Sequence, residues 1–216
     1  MSAIDNKLLT LIAFSFLLGI LPLVIVMTTS FTKFSIVLTL LRSALGVQQA
    51  PSGMAIAGLA LAATFLVMAP TARKIGDALS IDERIESREL PPLMETIEAV
   101  RGPLGEFMLA HSRPAERAYL INAVKRIDPQ RDAHETDFSV LVPAFLISEI
   151  SAGFEAGFLL YFAFLVIDLV VANVLTAMGM MMLSPTTVSI PLKLFVLVAA
   201  SGIPKLMHAL ILGYAT

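Results

Sequence analysis

The stretch VLVPAFLISEISAGFEAGFLLYFAFLVIDLVVANVLTAMGMMMLSP, Val140–Pro185, is apolar enough to be membrane helix almost throughout, yet it carries Glu149, Glu155 and Asp168, and no Lys or Arg appears until Lys193. A carboxylate at the centre of a bilayer-spanning helix costs roughly 2.5–3.5 kcal/mol on insertion scales, so such groups normally face a protein interior or a water-filled path. The segment therefore reads as part of an assembly or a conduit. Its end, Met178-Gly179-Met180-Met181-Met182, adds a methionine cluster beside a glycine.

Composition outside this stretch agrees with it. The 216-residue chain is 57% hydrophobic and 15% charged, with a mean hydropathy of +0.84, far from the soluble average. A net charge of −2 excludes a strongly basic nucleic-acid binder. With no cysteine, the chain has no disulfide framework, thiolate metal site or cysteine nucleophile. Charge is unevenly placed: 10 of the 15 basic and 13 of the 17 acidic residues lie between Thr71 and Asp137. The reading is an all-α protein with two greasy blocks, 1–70 and 138–216, around a polar insert, 71–137.

In the first block Leu8 to Phe31 is free of charge, long enough at 1.5 Å per residue to cross a core of about 30 Å. It exceeds the ~7–15 apolar residues of a signal-peptide core and leads into no small-residue cleavage site, so an uncleaved helix bent or broken at Pro22 is expected. Gly46 and Ala50-Pro51-Ser52-Gly53 mark a turn, and Met54 to Ala69 a second helix stopped by Pro70, giving a helical hairpin. In the insert, Ser80-Ile81-Asp82-Glu83 fits a capping box. Apolar residues follow at near-helical spacing from Leu90 to Phe107, with Pro91, Gly102 and Pro103 expected to divide them into short helices. Ala115 to Ile127 reads as another helix ending at Asp128-Pro129, and the insert's charges as a solvated face with local ion pairs.

The second block reads as three helices, Phe138 to about Leu160, Phe164 to about Met178 and Leu192 to about Leu212, with Ser184-Pro185 and Pro191 bracketing a turn. Gly153 and Gly157 form a small-xxx-small surface that lets two helix backbones approach closely. Hydropathy counts four or five spans, although a helix buried on all sides in an oligomer has the same composition as one in lipid. Lys7, Lys33, Arg42, Lys193 and Lys205 are scattered too singly to set an orientation.

Catalytic chemistry finds little support. His111, His134 and His208 are isolated, and no paired metal-ligand spacing, phosphate loop or nucleophile elbow occurs. No catalytic residue, cofactor or metal site is expected. On one straight helix Glu149, Glu155 and Asp168 fan around the axis, so a metal site or proton relay within one helix is disfavoured. Contacts between subunits or helix ends, a lined passage, and ion-coupled transport remain as readings of these acids. The methionines have two readings, gap-filling core residues or deformable side chains at a constriction.

The stretches Thr29–Phe34, Leu41–Gln49, Phe65–Pro70, Pro143–Ile150, Phe164–Val170 and Gly179–Pro185 resemble the FliP/SctR family of type III export-apparatus proteins. Val47-Gln48-Gln49 and the short N-terminus resemble the injectisome branch, SctR, more than the flagellar branch. Departures from the family pattern stand at Ser43, Ser151-Ala152, Ala163, where a proline is common, and Ala199-Ala200-Ser201-Gly202.

The resemblance implies helical hairpins assembled into a cone-shaped oligomeric export gate in the bacterial inner membrane, its core on the periplasmic side within the secretion-system base. It implies a pentamer joined to SctS-like and SctT-like subunits, working with SctU-like and SctV-like proteins, and conducting unfolded substrate proteins without catalysis. Met180, Met181 and Met182 then resemble the family's pore gasket. Glu149, Glu155, Asp168, Lys33 and Arg42 are expected in buried polar or inter-subunit contacts, and Gly153 and Gly157 in helix packing. The alternatives are a small ion-coupled transporter subunit using the three acids, and the flagellar homologue.

Overall fold

From Phe158 to Ala177 the sequence contains neither proline nor glycine, and Phe138–Ala177 is a single helix of 40 residues. The two helices expected there are thus one. At 1.5 Å per residue it is about 60 Å long, twice the hydrocarbon thickness of a bilayer. The computed structural model describes residues 15, 19–47, 50–80, 93–180 and 182–215, and among them all regular structure is helical. In chain order the helices are α1 (Gly19–Thr28), α2 (Phe31–Leu45), α3 (Gly53–Ala78), α4 (Leu93–His111), α5 (Pro114–Ile127), α6 (Phe138–Ala177), α7 (Pro185–Ala199) and α8 (Gly202–Leu212).

The long helix α6 is the mast of the molecule. Along it runs α2, and α4, α5 and α7 also pack against it, while α3 lies on α2, α4 and α8. The contact of α2 with α6 depends on two missing side chains. A Cβ at Gly153 would lie 3.2 Å from Ile36, and one at Gly157 would collide with Leu40. Ile36 and Leu40 thus follow the same order as the glycines, so the two helices run parallel. The small-residue surface is filled from within the chain.

Three apolar clusters hold the frame. Phe34, Val37 and Leu38 of α2 meet Ile56, Ala60 and Ala63 of α3 and Met207 and Leu210 of α8. Nearer the hairpin tip, Leu41, Ala44 and Leu45 meet Phe164 and Leu197. Phe107 and Met108 of α4 meet Leu141 and Phe145 of α6. Phe34 and Phe145 are fully buried, and each such side chain contributes about 1.5–3 kcal/mol by leaving water. The last cluster gives the polar stretch and the mast a shared core.

Helix ends follow local chemistry more closely than proline positions do. The first limb bends by 79° between α1 and α2, at Thr29-Ser30 and not at Pro22. Here Thr28, Thr29 and Thr32 donate their hydroxyls to the carbonyls of Val24, Ile25 and Val26 at 2.6–2.8 Å, satisfying the end of α1. Gly46, at φ 75°, ends α2, and the Ser52 side chain accepts the Ala55 amide to start α3.

Pro70 does not stop α3, which continues to Ala78. Pro70 and Leu66, whose carbonyl loses its partner, are both exposed, so no orphaned group is buried. Likewise α4 passes through Gly102-Pro103 unbroken, anchored by Phe107 and Met108. The expected Leu192–Leu212 helix is two, α7 and α8, bent by 59° at Ser201, which sits at φ 51°. Pro185 opens α7 and Pro191 lies inside it. The 80–83 capping box falls almost wholly outside the described residues.

By length and composition α3 and α6 are each able to cross a membrane, and among the described residues the two bent pairs raise that number to four at most. Apolar side chains remain exposed along α6, among them Phe154, Phe158, Leu159, Phe162 and Leu169. A helix apolar on all faces needs lipid or other protein around it.

Candidate functional site: the acids of the mast and the methionine loop

Each acid of the mast meets a partner from another part of the chain. Asp168 accepts from Lys193 Nζ of α7 at 2.6 Å, and the same ammonium donates to the Ala44 carbonyl at the end of α2 at 2.9 Å. Lys193 is buried while the Asp168 side chain is about a third exposed, at 36%. One lysine thereby joins α2, α6 and α7. Its position explains how a lone cation is tolerated in an apolar helix: two of its three donors are used.

About five turns along the mast from the insert, Glu155 accepts from Arg113 Nη2 through both oxygens, at 2.8 and 2.7 Å. The Arg113 amide also donates to Ser148 Oγ at 2.9 Å, so the α4–α5 connection is pinned to the mast twice. The hydrogen bond to Glu155 raises the Arg113 pKa further above its ordinary value. With both side chains substantially exposed, this pair contributes to geometry more than to the chain's own stability.

Glu149 is buried, and Tyr214 donates its hydroxyl to it. The Tyr214 ring lies against Phe34 of α2 and Phe107 and His111 of α4, and Lys33 Nζ sits 4.3 Å above its centroid. A residue near the C-terminal end of the chain therefore ties α2, α4 and α6 together. Lys33 and Glu149, both expected in polar contacts, share that one tyrosine. Tyr214 was missed by sequence reasoning, because only the fold brings positions 149 and 214 together.

Arg117 is another such residue. It is buried, donating through Nη1 to the Leu109 and Ser112 carbonyls at 3.2 and 2.6 Å and through Nε to Glu135 at 3.0 Å. This charge caps the end of α4, and the solvated-face reading does not hold for it. Arg42 differs again: its one described hydrogen bond is a long one, 3.5 Å, to the Pro51 carbonyl.

Along α6, Glu149 and Asp168 are separated by nineteen residues, about 28 Å at 1.5 Å each. The three acids do not converge, and no cluster of three metal-ligating side chains occurs among the described residues. Nothing here favours the ion-coupled transporter reading.

At the far end of the mast the backbone turns out of the helix at Gly179, φ 73°. The Gly179 amide donates to the Thr176 carbonyl and that of Met180 to Leu175, both at 3.0 Å, the paired closure of a left-handed helix end. Met178, the helix-capping residue, and Met180 and Met182 in the following loop are all exposed, Met182 fully. Met181 lies outside the described residues. The loop ends at Ser184-Pro185, where α7 begins.

These features define a membrane-associated helical protein whose apolar mast carries a projecting methionine loop. A family model described as the FliP family matches residues 14–210, and the chain belongs to that family. A probable translocation protein of Sinorhizobium fredii is 40% identical over 99% of this chain and 97% of its own length. The Yop proteins translocation protein R of Yersinia pestis is 41% identical over 92% of each. A flagellar biosynthetic protein FliP of Caulobacter vibrioides is 42% identical over 93% of this chain and 74% of its own length.

Proposed function

We propose that the chain is a core component of a type III protein-secretion export apparatus of the injectisome branch, forming part of the pore through which unfolded proteins leave the bacterial cytoplasm. Membership of the FliP family across nearly the whole chain, with relatives named as translocation proteins, carries this reading. The exposed apolar faces of α6 fit a subunit completed by other copies and by SctS-like and SctT-like partners, with SctU-like and SctV-like proteins alongside. A pentamer in the inner membrane, its core on the periplasmic side, is the assembly proposed. The chain acts as a conduit without catalysis.

Met180, Met181 and Met182 are proposed as the gasket of that pore. Unbranched thioethers are deformable and apolar, so they close around side chains of varied size and dewet an empty constriction. Two of the three are exposed on a loop held outside the helix by Gly179, as the role requires. Changing all three to Ala should leave the complex assembled, retain part of the secretion and raise ion leakage through planar bilayers or membranes. A normally assembled triple variant conducting no more than wild type would sink the gasket role.

A further inference from the structure

Beside Arg42 an apolar groove of about 220 Å³ opens between α2, α3 and the start of α8. Leu38, Leu41 and Leu45 form one wall, Ile56 and Leu59 the other, and Ile203 of α8 also lines it. It is open to the side, since Leu59 and Ile203 are 39% and 43% exposed. The guanidinium is the only charge among the lining residues. No carboxylate pairs with it among the described residues, in contrast to Lys193, Arg113 and Arg117.

Position adds to chemistry. Arg42 lies in the last turn of α2, next to the tip where Gly46 ends one helix and Ser52 begins the next. The positive end of α3 is thus close by. From there the groove descends along the hairpin through Ile56 and Leu59, away from the tip. The opposite end of α3 reaches the polar insert, where Lys74 meets Glu106 at 2.6 Å. If the insert faces the periplasm, the tip and Arg42 face the cytoplasmic leaflet, where anionic headgroups attract basic side chains.

We propose that this groove binds one anionic phospholipid, its phosphate on Arg42 and an acyl chain along Leu38, Leu41, Ile56 and Leu59. The proposal rests on the membrane placement given above, but its test needs no secretion. An ammonium-free, apolar-walled slot with one guanidinium at its mouth, without a carboxylate partner among the described residues, matches an anionic amphiphile in both parts. A lipid seated there fills the open side of the hairpin without supplying a protein contact.

The assembled, detergent-purified complex is titrated with dioleoyl phosphatidylglycerol or dioleoyl phosphatidylcholine and read by native mass spectrometry. Both lipids offer a phosphate, but only phosphatidylcholine brings a trimethylammonium that opposes the guanidinium, so wild type should retain phosphatidylglycerol in preference by about tenfold, roughly 1.4 kcal/mol. Arg42→Gln should erase that preference. Ala55→Phe, which fills the groove and keeps the charge, should reduce retention of both lipids. Equal retention of the two lipids by wild type overturns the proposal, as does Arg42→Gln binding like wild type. Should Arg42→Gln fail to assemble, the wild-type ratio and Ala55→Phe decide. A wild-type complex that retains neither lipid likewise overturns the proposal, leaving the export function itself untouched.

Discussion

Lys193 and Asp168 exemplify what a buried charge demands of its surroundings. Removing one member strands the other, which costs about 3–5 kcal/mol when both are fully buried. Asp168 is partly exposed, so Lys193→Met should fall at the low end of that range. Adding Asp168→Asn should recover much of the loss, since no uncompensated ion then remains. Melting of the detergent-solubilised chain measures both variants; a double variant no more stable than Lys193→Met would show that packing, not charge, is lost. The three carboxylates were conspicuous in the sequence, but their partners were not. The bonds of Asp168, Glu155 and Glu149 close separations of 25, 42 and 65 residues, and no local pattern records such distances.

For whole elements, close packing of α2 on α6 makes Gly157 a sensitive position. Leucine there would drive into Leu40 of the same chain, and overpacking of this kind costs about 1–3 kcal/mol. Gly157→Leu should therefore lower the melting temperature of the unassembled chain as well as the yield of oligomer. Leu40→Ala in the same molecule should restore part of it. Loss of oligomer with an unchanged melting temperature would instead move the glycine surface to a subunit boundary. Glycine spacing revealed the close approach and left its partner open. Prolines misled in the other direction: Pro22, Pro70, Pro103 and Pro191 all lie within helices, the lost bond falling at an exposed residue for Pro70 and the helix being anchored by Phe107 and Met108 for Pro103.

The whole molecule presents an insert rich in charge at one end of α3 and the lone Arg42 near the other. If the insert faces the periplasm, a cysteine at exposed Asn122 of α5 should react with a membrane-impermeant maleimide in intact spheroplasts. The chain has no native cysteine to compete. Labelling only after lysis would reverse the orientation, and with it the leaflet assigned to Arg42.

Composition and order by themselves determined the helical class, the hairpin turn at Gly46–Ser52, the polar insert between two apolar blocks, and the family, whose matching stretches lie in both blocks. Those are properties of contiguous residues: hydropathy, turn chemistry and caps act within a few positions. Only the tertiary structure decided that the second block begins with one 40-residue mast, that Gly153 and Gly157 receive α2, and that Tyr214, Lys193 and Arg113 answer the three acids. These outcomes depend on which faces meet across long separations. A helix that is apolar all round carries no mark of the face its neighbour will cover.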